Sequence, residues 1–280
     1  MKINKLCNIL FVSMLSITFA YAQQAPMSGP MKPMAKKGND PRDPSSKNEA
    51  KEEFSADANY DKNIKRVKEY TITDVDGDFG YINLGNQVVG QSGIVVNKKD
   101  YPIIVAMASV VESDASRSKL EFKPYLNLEQ DAIPNTNLKA SNNDIFVLNY
   151  LYEASMVIAP NIDSFQAVRK VFKDYSFLHP DLFAAFLKVE EEPVPSKDII
   201  QKYALEQNLG SLVVVVENKA YLVDARTFKV IKSISIKYEN EVNLKPFYTR
   251  VDEIETGSFD FGAESIGEYT KYYKELLEIK

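Results

Sequence analysis

The chain has 280 residues, of which 45% are hydrophobic, 26% charged and 11% aromatic. This composition is typical of one or two globular domains and excludes a chain that is disordered throughout. The formal net charge of −5 argues against a nucleic-acid partner, which selects for basic surfaces. One cysteine, one histidine and no tryptophan leave little material for metal sites or for histidine-based catalysis.

The first 66 residues predict an export signal followed by a tether. Residues 1–22 have a basic start, an apolar run and a small-x-small cleavage pattern, as in a secretory signal peptide. Residues 23–66 are rich in proline, methionine, lysine and serine and poor in aliphatic residues, so we expect a disordered tether. The apolar run is shorter than a membrane span, and no later run approaches the necessary length. The sequence therefore predicts an exported chain without a transmembrane span after cleavage.

Residues 67–159 predict a β-rich module. Short stretches of β-branched and aromatic residues are separated by polar loops, and Asp76-Gly77 marks a tight hairpin. The predicted strands lie at 70–73, 79–84, 88–96, 103–111 and 145–151. Strands of this length and spacing favour a small barrel or a sandwich.

Residues 160–280 predict an α/β module with a terminal helix. Apolar residues at helical spacing indicate helices around 165–172 and 182–187, the first capped by Asn161 or Asp163, and a third from Ser196 to a stop at Gly210. Strands follow at 212–216, 220–224 and 230–236, and a polar-aromatic helix spans 263–280. The continuous aliphatic run at 212–216 is typical of a strand buried on both faces. The predicted fold class is α+β, a barrel or sandwich followed by an α/β module with a short sheet and a C-terminal helix.

The sequence offers few residues for catalysis. His179, the lone imidazole, precedes Pro180-Asp181 and could in principle pair with Asp181 as a general base. Capping of the following helix is the favoured role, because no nucleophile elbow, phosphate-binding glycine loop or two-histidine metal motif accompanies it. We therefore predict no enzyme activity, no cofactor and no metal site.

Four sequence blocks carry a resemblance to a known family: Val89–Val96, His179–Leu187, Tyr221–Val230 and Pro246–Val251. Together they resemble the plasminogen-binding protein A/B N-terminal domain family of Helicobacter and Campylobacter relatives, over residues 67 to 277. The resemblance implies an exported, non-enzymatic envelope protein. For the named members it also implies capture of host plasminogen through a C-terminal lysine.

That implication selects Lys280 as the candidate partner-binding residue, with Lys274 beside Glu275 as an internal alternative. Kringle modules recognise an ammonium held at a fixed distance from a carboxylate, and a C-terminal lysine carries both groups. A second hypothesis is a periplasmic scaffold component, for example an accessory protein of the flagellar motor. The two hypotheses differ in location, cell surface or periplasm, because host plasminogen reaches only the outside of the cell.

Overall fold

The computed structural model describes residues 67–99, 101–125, 138–239, 242–251 and 266–280. The predicted signal peptide at 1–22 and tether at 23–66 lie outside these ranges and stay predictions. All the described residues belong to one compact unit.

Six antiparallel strands close into a barrel in the order β1-β2-β5-β4-β3-β6. They are β1 (Lys68–Asp76), β2 (Phe79–Ile82), β3 (Ser92–Asn97), β4 (Ile103–Ser113), β5 (Ser118–Lys123) and β6 (Ile145–Leu148). Inward-pointing apolar side chains fill the interior, among them Ile72, Ile82, Val95, Leu120 and Phe146. The predicted alternatives, barrel or sandwich, thus resolve to a barrel, which leaves no open strand edges.

The strand β5 is absent from the sequence prediction. Its residues alternate between buried and partly exposed positions, and only Leu120 and Phe122 are apolar. Such a short alternation is a weak signal by itself. Pairing with β2 on one side and β4 on the other makes it a strand, because the barrel cannot close without it.

The second sheet has the order β11-β10-β9-β7-β8. Its strands are β7 (Ala154–Ile158), β8 (Ser176–Leu178), β9 (Ser211–Val216), β10 (Lys219–Asp224) and β11 (Val230–Ser235). The central strand β9 is buried at every position, as its aliphatic run predicts. The sequence division at residue 159 assigns β7 to the β-rich part, whereas in the structure β7 pairs in parallel with β8 and β9. The sheet therefore begins before residue 160.

Within the described ranges, four helices cover the two faces of this sheet: α1 (Ile162–Val171), α2 (Pro180–Glu190), α3 (Lys197–Glu206) and α4 (Tyr269–Leu276). Because side chains alternate along a strand, Val213 and Val215 of β9 meet α1 on one face. On the other face Leu212, Val214 and Val216 meet α2, α3 and α4. The α+β class predicted from sequence is confirmed, as a barrel followed by a sheet between helices.

The helix ends agree with the predicted caps at most positions. The side chain of Asn161 forms a capping box at the start of α1, and Ser196 caps α3. The predicted stop at Gly210 is wrong, because α3 ends at Glu206 and Asn208 supplies the left-handed residue after it. The terminal helix is shorter than predicted, with eight residues from Tyr269 to Leu276.

Gly210 is required for a different reason. A Cβ atom at this position would lie 2.4 Å from the carbonyl carbon of Leu151. The backbone of Gly210 donates to the carbonyl oxygens of Leu151 and Ala154 at 3.2 and 3.1 Å. The glycine therefore permits close approach of the chain that links barrel and sheet to the start of β9.

Candidate partner-binding surface

The terminal helix α4 is held to the sheet by buried tyrosines. Tyr269 and Tyr273 are almost fully buried, and their rings lie 4.6 Å apart. The Tyr269 hydroxyl donates to the carbonyl of Val215 at 2.8 Å, and the Tyr273 hydroxyl donates to that of Pro246 at 3.0 Å. These bonds satisfy the polar tips of two large apolar side chains. The helix thus fixes the place at which the segment 274–280 leaves the core.

The segment after α4 ends in an ordered turn. Glu278 adopts a left-handed conformation, with φ of 56°. The N–H of Ile279 donates to the carbonyl of Lys274, and the N–H of Glu278 donates to that of Glu275, the two bonds of a Schellman motif. Glu278 also forms an ion pair with Lys229 at 3.1 Å. Lys280, two residues after Glu278, therefore follows directly on an ordered turn.

The two candidate lysines differ in what they contact. The ammonium of Lys274 forms an ion pair with Glu217, and this hydrogen bond raises the pKa of Lys274 above its usual value despite partial desolvation. Lys280 is exposed, and among the described residues no carboxylate forms an ion pair with it. A partner can therefore reach the ammonium of Lys280 without breaking an internal contact. At Lys274 it has to displace Glu217.

His179 has the structural role expected of it. It is the N-cap of α2, and its Nδ1 accepts the backbone N–H of Asp181 at 3.2 Å. Burial alone would raise the pKa of Asp181, but hydrogen bonds from Arg250 and Thr249 outweigh it and hold the pKa below its usual value. Both side chains are thus engaged at the helix start. In the described part of the chain, no three histidine, cysteine or acidic side chains are grouped so that they could hold a metal ion.

The four family-like blocks meet in space as two pairs. In the first pair, Asp181 of the His179–Leu187 block accepts hydrogen bonds from Thr249 and Arg250 of the Pro246–Val251 block. Beside them, the rings of Phe183 and Phe247 stack with centroids 5.3 Å apart. This pair anchors α2 to the segment before α4. Its residues hold the fold together.

The second pair joins the barrel to the sheet through Asp224. One carboxylate oxygen, Oδ1, accepts the backbone N–H groups of Arg226 and Thr227 at 2.8 Å each and so closes the turn after β10. The other oxygen, Oδ2, accepts the backbone N–H of Ser92 in the barrel at 2.9 Å and the hydroxyl of Tyr152. The Thr227 hydroxyl adds a bond to the carbonyl of Gly90 at 2.6 Å. Sequence reasoning did not identify this junction.

The Asp224 junction is buried. Asp224 and Tyr152 have no exposed surface, and Ser92 has 5%. Burial, followed by the charge of Asp224, raises the pKa of Tyr152 well above its usual value, so the phenol remains a donor. The sequence contains one signal for it, the Asp-x-x-Thr turn at 224–227, since aspartate and threonine favour such local bonds.

No helix among the described residues has both the length and the apolar character needed to cross a membrane.

Comparisons with known proteins extend these observations. A family model described as plasminogen-binding protein pgbA N-terminal matches residues 67–277. Two curated relatives, both called plasminogen-binding protein PgbA, come from Helicobacter pylori strains J99 and 26695 and are 22% and 21% identical over 194 residues.

The match covers 68% of this chain and 42% of each relative, so the chain spans about two fifths of the length of these relatives. No solved structure matches the chain significantly. The family match covers the barrel, the sheet and the helices up to Leu277, and it includes all four sequence blocks that meet in the structure. The chain therefore belongs to the family of plasminogen-binding protein pgbA N-terminal domains.

Proposed function

We propose that this chain is an exported, non-catalytic protein-binding domain of the bacterial envelope and that plasminogen is its partner. The observation that carries the proposal is the family match over residues 67–277, together with the name of both curated relatives. Those relatives are longer than the matched region. The proposal therefore concerns binding by the matched domain and by residues 278–280, without the rest of the relatives' length. Its test is direct binding.

We assign the contact to Lys280 in preference to Lys274. The Lys280 ammonium is exposed and forms no ion pair with a described residue, whereas that of Lys274 is bound by Glu217. The ordered turn at Glu278 supports this choice, because a ligand presented from a fixed backbone loses less conformational entropy on binding. A protein that ends at Lys280 offers an ammonium and a carboxylate on one residue, the pair that a kringle recognises.

The proposal is tested by measuring binding of the purified protein to immobilised plasminogen. We expect Lys280→Gln to weaken binding at least tenfold and a free lysine analogue to block the unchanged protein. A two-residue Gly-Ser extension after Lys280 keeps the ammonium but moves the carboxylate, so it should weaken binding to a similar degree. Lys274→Gln is the matched control and should bind as the unchanged protein does. The changes at Lys280 lie at an exposed position and should leave the unfolding midpoint unaltered, whereas Lys274→Gln removes a surface ion pair and should lower it only slightly.

Two outcomes would contradict this assignment. Loss of binding in Lys274→Gln with retention in Lys280→Gln would transfer the contact to Lys274. Absence of binding by the unchanged protein would remove plasminogen from the proposal and favour the alternative, a periplasmic scaffold. Capture of partners from intact cells, compared with disrupted cells, then identifies the compartment in which the protein acts.

A further inference from the structure

Strand β11 forms one edge of the second sheet. It pairs with β10 on one side, and within the described ranges no strand pairs with its other side. Ser233 and Ser235 are exposed, and Ile234 between them is partly exposed. The second half of the strand therefore presents an open edge to solvent.

The register with β10 shows which backbone groups of this edge are unpaired. The N–H of Ile236 donates to the carbonyl of Asn218 at 2.9 Å. Because bonded positions alternate along an antiparallel pair, Ile234 also directs its N–H and C=O toward β10, whereas Ser233 and Ser235 direct theirs away from it. No described residue donates to or accepts from these outward groups.

The unpaired groups define the kind of ligand that fits. Ser233 and Ser235 each present one N–H donor and one C=O acceptor in extended order. The complement of this pattern is the backbone of another extended strand, which carries the same alternation of donors and acceptors. Affinity in such a pairing comes from backbone bonds, and specificity comes from the side chains beside them.

The charge of the edge decides which strand is complementary. Residues 225–238 contain four cations and no acidic residue, although the chain as a whole has a net charge of −5 (Arg226, Lys229, Lys232, Lys237). A second copy of this chain would bring two basic strands together, and lysines on an edge disfavour such self-pairing. An acidic strand is instead attracted to it.

The side chains of β11 define the sequence of that strand. Lys232 and Ile234 point to the same face, because side chains alternate along a strand, and Ile234 packs against the apolar cluster that contains α1. In a paired strand, the residues opposite these two come within about 4.5–5.5 Å between Cβ atoms. The complementary segment therefore has an acidic residue beside Lys232 and an apolar residue beside Ile234, two positions apart.

We propose that the free edge of β11 binds an extended acidic segment of a partner protein by strand addition. The segment carries an acidic and an apolar residue two positions apart, next to Lys232 and Ile234. This site goes beyond the proposed function, because it includes neither Lys280 nor Lys274.

The test is NMR titration of the isotope-labelled full chain with three capped peptides at constant ionic strength. The acidic peptide is Thr-Glu-Thr-Val-Thr-Glu-Thr, which matches the edge in either strand direction. The basic peptide has lysine in place of both glutamates. The third peptide has proline in place of the two threonines next to valine, so it loses N–H donors but keeps the acidic charge.

We expect the acidic peptide to cause saturable shifts of the Ser233 and Ser235 amides. At saturation, hydrogen exchange of these two amides should slow at least tenfold, because each N–H then donates to the peptide. The basic and the proline-containing peptides should bind at least tenfold more weakly.

Variants separate backbone pairing from charge. Ser233→Pro removes an outward N–H, which an edge strand tolerates, and should weaken binding of the acidic peptide at least tenfold. Ser233→Ala is its matched control and should bind as the unchanged protein does. Lys232→Glu keeps the backbone and should reverse the preference between the acidic and basic peptides, whereas Lys99→Glu at an exposed position after β3 should not. Lys280→Gln should also leave peptide binding unaltered, so this site is tested independently of plasminogen binding.

Four results would overturn the proposal. Equal binding of the proline-containing peptide would exclude strand pairing, and equal or tighter binding of the basic peptide would exclude selection by charge. Full binding by a folded Ser233→Pro variant would place the peptide elsewhere. Shifts of the Ser233 and Ser235 amides that depend on protein concentration without peptide would identify a second copy as the occupant. If Ser233→Pro does not fold, an unchanged peptide preference in Lys232→Glu refutes the proposal in its place.

Discussion

The link between barrel and sheet depends on one oxygen of Asp224, and Asp224→Asn tests it. Asparagine keeps an acceptor at Oδ1, so the turn bonds to Arg226 and Thr227 can persist. At Oδ2 it substitutes an NH₂ group, which cannot accept from Ser92 or Tyr152. The substitution therefore separates the bonds within the sheet module from the bonds that reach the barrel.

The expected cost follows from the bonds that are lost. A hydrogen bond to a charged acceptor contributes about 1.5–3 kcal/mol, so two of them contribute about 3–6 kcal/mol. The N–H of Ser92 keeps a second acceptor, the Tyr152 hydroxyl at 3.2 Å, which reduces the loss. We expect Asp224→Asn to lower the free energy of unfolding by about 3–4 kcal/mol, a large share of the ~5–15 kcal/mol typical of a folded protein.

Urea unfolding followed by circular dichroism measures this change. Asp114→Asn is the matched control, because the Asp114 carboxylate accepts similar turn bonds from Ser116 and Arg117 but is exposed. It should cost less than about 0.5 kcal/mol. Tyr152→Phe should be destabilising by itself, and combined with Asp224→Asn it should cost less than the sum of the two. Equal midpoints for Asp224→Asn and Asp114→Asn would refute the reasoning.

Two further predictions concern the core. Phe183 is fully buried against Phe247, so Phe183→Ala should lower the free energy of unfolding by about 3–5 kcal/mol in urea, whereas Leu182→Ala on the exposed side of the same helix should change it by less than about 0.5 kcal/mol. Similar values for the two would show that α2 does not pack as described. Alkaline titration tests the buried phenols, because burial raises their pKa well above the usual value of 10.0. An unfolded tyrosine stays neutral below pH ~10, so the full stability is present there, and it decreases at higher pH. Ultraviolet absorbance should therefore show that the phenols of Tyr152, Tyr269 and Tyr273 ionise only when the protein unfolds. Ionisation of these three phenols in the folded protein would contradict this prediction.

Features that depend on local periodicity were predictable from the sequence. The aliphatic run at 212–216 predicts a doubly buried strand because a strand between two helical layers has no solvent-facing side. The cap at His179 and the Pro180 start of α2 were predictable because helix ends are stabilised by neighbouring residues in the chain. The exposed position of Lys280 also follows from a polar terminal segment. The resemblance to the family was also predictable, because the four sequence blocks that carry it are each short and local.

Tertiary contacts decided the rest, because their partners are far apart in sequence. Asp224 and Ser92 are separated by 132 positions and Lys274 and Glu217 by 57, so no local pattern connects them. Sequence could not show that Lys274 pairs with Glu217 while Lys280 forms no ion pair with a described residue, since both are lysines near the end of the same helix. It also could not show that Gly210 permits close backbone approach instead of ending a helix. Composition and periodicity determine which segments become strands and helices, while the barrel closure and the folding of β10 onto β9 determine which polar groups are buried together.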